Sequence, residues 1–125
     1  MIIIKSEFPI PIDVDGTLVL EANAENRALG LKVISVKDPL TGGMLTMCAH
    51  EPNIRLIKEE HSRGSYLMVW SRGGYAWAAA VVVALNLQDI VNEVMTKPHV
   101  YIDDVDVKEW MPSRVYLPPN SRYKK

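Results

Sequence analysis

"SYLMVWSRGGYAWAAAVVVALNL", residues 65–87, decides how this chain folds. Its first part, "YLMVWS", is apolar without polar interruption until Ser71, the pattern of a strand buried in a parallel sheet. "RGG" then turns the chain. "GGYAWAAAVVVALNL" is apolar on nearly every face, which predicts a well-buried helix. Working outward, "EPNIRLIKEEHSRG" (residues 51–64) predicts a second helix. Pro52 suits its first turn, Ile54, Leu56 and Ile57 supply an apolar stripe, and Gly64 suits its stop. Before it, in "LKVISVKDPLTGGMLTMCA", Val33, Ile34 and Val36 on one arm and Leu45, Thr46 and Met47 on the other flank the turn formers "DPLTGG". This predicts a β-hairpin insertion at about 31–48. Phe8 to Val14 predicts a strand. Its Pro9 and Pro11 cannot donate to a ladder, so they should lie near the strand's start or face away from a partner. Downstream, "DIVNEVMTK" is ambiguous in period and is read as a short strand near Val91 to Met95. "HVYIDD" is read as a buried strand ending in acids, and "RVYL" (114–117) as a last strand before a polar, basic tail. Strands alternating with helices predict an α/β fold with a mainly parallel sheet and a site at the strands' carboxyl ends.

Composition bounds the rest. At 125 residues the chain is read as a single domain, residues 1–125, with one core. Hydrophobic residues make up 48% and charged residues 23%, which suits a globular protein. The net charge of −1 offers no global footprint for nucleic acid. The lone Cys48 excludes an internal disulfide and a cysteine-built zinc site. The start, "MIIIKSEFPI", lacks the basic region and apolar length of a signal peptide. The run Ala76 to Leu85 is half of the roughly 20 residues that a membrane span needs. A soluble, cytoplasmic protein with no membrane partner is expected.

The chemistry is concentrated in "PIDVDGTLVL", residues 11–20. Asp13, at a strand terminus, can act as a nucleophile on phosphorus when Mg2+ is near. Asp15 can protonate a leaving oxygen and later activate water. Gly16 lets the chain turn and lets amides, that of Thr17 among them, approach an anion. The ordinary alternative is a turn with solvated acids. Ser71 ends a strand before "RGG", where its hydroxyl and nearby amides can hold a phosphoryl oxygen; a helix N-cap is the plainer role, and both can hold together. Arg72 could meet a substrate anion or be a solvated charge, and Gly73 belongs to the same turn. Lys97 could neutralise phosphoryl charge and Asp13, although a single lysine is ordinarily a surface charge. Asp103 and Asp104, side by side, repel each other unless a cation or donor is near. Their hard oxygens suit Mg2+. His50, His61 and His99 share no metal-ligand spacing. Trp70, Trp77 and Trp110 are read as packing. There is no P-loop and no dinucleotide-binding fingerprint.

The order "DVDGT", Ser71, Lys97, "DD" resembles the haloacid dehalogenase phosphohydrolase superfamily. The resemblance implies a three-layer, Rossmann-like α/β sandwich. It implies Asp13 as the nucleophile that forms an aspartyl-phosphate, and Asp15 as general acid and base with its carbonyl also on Mg2+. Ser71 would bind the phosphoryl group together with Gly16, Thr17, Arg72 and Gly73, and Lys97 would steady the charge. Asp104 would ligate the metal directly, with Asp103 in support. Only 57 residues lie between Asp13 and Ser71, and most belong to the hairpin and a core helix. The chain therefore looks like a minimal form with no large cap domain. Some such members oligomerise through a hairpin, so a homo-oligomer built through this one is expected. The expected activity is a Mg2+-dependent phosphomonoesterase acting on a small phosphorylated metabolite or nucleotide. A polynucleotide 3'-phosphatase is the alternative within that class, and the basic "SRYKK" is its support. A non-catalytic binding or assembly protein on the same fold is the alternative outside it.

Overall fold

The computed structural model describes residues 8–111. In chain order its elements are β1 (Ile10–Asp13), β2 (Val19–Glu21), α1 (Ala24–Ala28), β3 (Lys32–Lys37), β4 (Met44–Ala49), α2 (Glu51–Ser62), β5 (Leu67–Ser71), α3 (Tyr75–Ala84), β6 (Glu93–Thr96) and α4 (Val107–Trp110). The fold is mixed α/β. A three-stranded parallel sheet runs β1-β5-β6, and a three-stranded antiparallel sheet runs β2-β4-β3. The expected strand at 114–117 lies outside the described residues.

β5 is the centre of the parallel sheet, as its apolar run predicts, but it is not buried on both sides. Leu67, Val69 and Ser71 are buried, while Met68 and Trp70 are only half-buried. Register carries this alternation across the sheet. Ile12 and Val69 face the core with Val94 beside them, and Asp13, Trp70 and Met95 lie on the opposite face. The steps from β1 to β5 and from β5 to β6 run in one direction across the sheet. Pro11 behaves as its chemistry requires. Ile10 donates its amide to Tyr66 O at 2.9 Å, so the next residue, without an N–H, faces the edge where no described strand pairs.

α2 begins where expected. His50 Nδ1 caps it by accepting the Asn53 amide at 3.3 Å, and Pro52 occupies the first turn. Its buried Glu60 is held by Arg63 and by Ser65 Oγ at 2.9 Å. α3 differs from expectation. Ala78, Val81 and Val82 are buried, but Tyr75 and Val83 are exposed. Apolar residues on every face make such a helix able to bury any face, and here it packs one stripe, against β3, β5 and β6. The hairpin forms as β3 and β4. Asp38 accepts the Gly42 amide at 2.8 Å and its Oδ1 accepts the Leu40 amide at 2.8 Å, which closes the loop. Cys48 and Ala49 at its base, and Val36 close to its turn, are buried, while Leu40 in the turn is 94% exposed. β2 and α1 were not expected. β2 pairs with β4 and turns the hairpin into a sheet.

The buried strand expected in "HVYIDD" is absent. Val100 is 79% and Ile102 100% exposed, and residues 97–106 form neither strand nor helix. An apolar triplet becomes a strand only where a ladder takes it up, and no described strand pairs with it. Trp110, expected to pack, is exposed and meets the Tyr101 ring edge-on at 6.1 Å. Among the described residues no helix is long and apolar enough to cross a membrane.

Candidate active site

The carboxyl ends of β1, β5 and β6 lie side by side, and four of the expected residues stand on them or just beyond. Asp13 ends β1, Ser71 ends β5, Lys97 follows β6, and Asp15 lies two residues past β1. Adjacent strands with matched register bring their termini close, which is why Lys97 reaches Asp13 and Ser71 reaches Asp15 despite their separation in sequence. Lys97 Nζ is 3.8 Å from Asp13 Oδ1 and 6.0 Å from the centre of the Trp70 ring. Its backbone is fixed to β5, since Lys97 donates its amide to Ser71 O at 2.9 Å. Thr17 Oγ1 donates to Asp13 Oδ2 at 3.5 Å, a weak bond. Asp13 is half-buried, so its carboxylate has one cation, one weak donor and solvent around it.

Asp15 is held by two donors. Ser71 Oγ donates to Asp15 Oδ2 at 3.1 Å, and Trp77 Nε1 donates to Asp15 Oδ1 at 3.0 Å. Ser71 is fully buried and also accepts the Gly73 amide at 2.9 Å. Its hydroxyl therefore faces Asp15 and would reach a phosphoryl oxygen only by leaving that carboxylate. A side chain at Gly73 would be tight, since a Cβ there would lie 3.1 Å from Trp77 Cδ1 and 3.3 Å from Ser71 Oγ and its neighbours would have to shift by a few tenths of an ångström. Gly74, at φ +104°, supplies the turn into α3. Arg72 is exposed and forms no ion pair with a described residue.

The loop after Asp13 has its own fastening. Gly16, at φ +84°, donates its amide to Val19 O at 2.9 Å, and Thr17 donates to Val14 O at 3.1 Å. Both amides are engaged in the turn, so an anion would have to compete for them. Asn53, buried on α2, donates from Nδ2 to Thr17 O at 2.8 Å. Trp77 and Asn53 are the two site residues that sequence reasoning missed. A tryptophan on a helix just after a strand-end serine carries an N–H that packing alone does not use, and that was the available signal. Asn53 gives no such signal, because only the fold brings α2 to residue 17.

Asp103 and Asp104 do not join this cluster. Both are exposed, and Asp103 Oδ1 accepts the Val105 amide at 3.2 Å in a local turn. Among the described residues no group of three or more His, Cys, Asp or Glu side chains is placed to hold a metal ion. The chain matches no family model, no curated protein and no solved structure.

Proposed function

We propose that this chain is a phosphomonoesterase working through an aspartyl-phosphate on Asp13, dependent on Mg2+, with a small phosphorylated metabolite or nucleotide as substrate. The reading rests on one observation above all: Asp13 beside Lys97, and Asp15 beside Ser71, on adjoining ends of parallel strands. Asp13 Oδ attacks phosphorus, the P–O bond to the leaving group breaks, and Asp15 gives its proton to the departing oxygen. A water then yields a proton to Asp15 and attacks the same phosphorus. The Asp13–phosphorus bond breaks, phosphate leaves, and both carboxyl groups return to their starting forms. Lys97 balances charge on the phosphoryl oxygens, Thr17 supplies a hydroxyl donor, and Ser71 supplies a second on turning from Asp15 to the phosphoryl group.

The oxygens of Asp13 and the Asp15 carbonyl fit Mg2+, which prefers one or two carboxylates, substrate phosphate and retained waters. Bound there, Mg2+ would neutralise phosphoryl charge. Asp104 lies seven residues beyond Lys97, and seven extended residues span roughly 23–25 Å, so the exposed segment can carry Asp104 or Asp103 to Asp13. The same reading takes the parallel sheet as the centre of a three-layer, Rossmann-like sandwich without a cap, in a cytoplasmic protein that assembles through its hairpin. The test is a phosphate-release screen over nucleotides, sugar phosphates and 3'-phosphorylated oligonucleotides, with Mg2+ and with excess chelator. Turnover of small monoesters that chelator abolishes is expected. Turnover confined to oligonucleotides would move the substrate class, and none on any substrate would leave the binding-protein reading.

A further inference from the structure

A pocket of about 440 Å3 opens directly beside Asp15, with Val19, Leu20, Glu21, Asn26 and Met47 among its lining residues. It falls within the size of small-molecule sites. Its position matters because the group that protonates a leaving oxygen must border the place where the leaving group sits. The walls are chemically one-sided. Val19, Leu20 and Met47 are apolar. Glu21 offers a carboxylate and is exposed. Asn26 is buried and donates from Nδ2 to Glu21 O at 2.8 Å, which leaves its Oδ1 as an acceptor. Among the described residues no lysine or arginine lines the pocket. Acceptors without a cation favour a ligand that brings hydroxyl donors and disfavour one that brings a second anion.

We infer that this pocket selects the leaving group, and that Glu21 is its main specificity determinant: the preferred substrates are monophosphates of neutral polyhydroxy alcohols, not of sugar acids or other doubly anionic compounds. The inference rests on the phosphatase reading above and names the substrate class of the same site. Asp15 serves both, as the proton donor and as one wall of the pocket.

The experiment compares glucose 6-phosphate with 6-phosphogluconate, which differ at the far end by a carboxylate, with p-nitrophenyl phosphate as the reference substrate. The native chain should favour glucose 6-phosphate by about tenfold or more in kcat/KM, the effect of one unfavourable charge contact in a partly wet site. Glu21→Gln should bring that ratio close to one, chiefly by lowering KM for 6-phosphogluconate. Glu25→Gln, which makes the same charge change outside the pocket, should leave the ratio as it is. Turnover of p-nitrophenyl phosphate with neither sugar accepted, with 6-phosphogluconate preferred, or with a ratio that Glu21→Gln does not move would overturn the inference and leave the phosphatase reading standing. Failure on all three substrates would remove both.

Discussion

At the scale of single residues, Asp15 is the most constrained group in the site: Ser71 holds one of its oxygens and Trp77 the other. The indole N–H fixes one carboxylate oxygen, and a hydrogen bond to a charged group contributes about 1.5–3 kcal/mol. Trp77→Phe keeps most of the ring's packing and deletes only that donor. The expected outcome is a kcat lower by about tenfold with KM little changed, and a melting temperature lower by several degrees; steady-state kinetics and a thermal scan check it. Asn53 is a second such point. Its Nδ2 bond to Thr17 O stabilises the loop, but its own Oδ1 is buried without a partner. Asn53→Ala loses the first and is relieved of the second. Its cost should fall near the low end of the usual range, about 1 kcal/mol, read from the urea midpoint. A loss of 3 kcal/mol or more would mean that Asn53 does more than hold this loop.

At the scale of elements, what could be read in the sequence follows from how local each signal is. β5 and α3 were legible because an apolar run, a Gly pair and a second apolar run lie in one stretch. The hairpin was legible because Asp38, Pro39, Gly42 and Gly43 mark its turn between apolar arms. β2 was not, since three residues carry no period and its partner β4 lies over twenty residues away. α1, five residues capped by Asn23, is too short to show a stripe. The segment "HVYIDD" shows the reverse failure. Its composition suits a strand, yet pairing depends on an edge elsewhere, and Val100 and Ile102 stay in solvent. The hairpin tip raises a related question. Val33 and Met44 are exposed on one face of the small sheet, Leu45 on the other, and Leu40 in the turn between the arms; the assembly proposed above would have a second copy of the chain cover part of this surface. Light scattering should find an oligomer for the native chain. Replacing residues 38–44 with a short Gly-Ser turn should shift it to monomer. A native monomer would end that proposal.

At the scale of the whole molecule, the candidate site divides along the same line. Residues on strand ends, Asp13, Ser71 and Lys97, were legible and come together because a parallel sheet aligns its termini. Asp103 and Asp104 were legible as chemistry but not as position, because the segment that bears them is exposed and joins no strand among the described residues. The metal proposal joins the two halves. Mg2+ titrated calorimetrically into the native chain should bind, and Asp104→Asn should weaken binding by about tenfold or more, with Asp103→Asn weaker in effect. Equal affinity in all three chains would remove both acids from the metal site.

The central claim is that Asp13 is the nucleophile of a phosphatase, and it is tested most directly by phosphate release from p-nitrophenyl phosphate in Mg2+, for the native chain and for Asp13→Asn. The amide keeps nearly the shape of the carboxylate and cannot form the aspartyl-phosphate. Turnover should therefore fall by about a thousandfold or more while the far-ultraviolet circular dichroism is unchanged. A folded Asp13→Asn chain that turns over at the native rate would contradict the account.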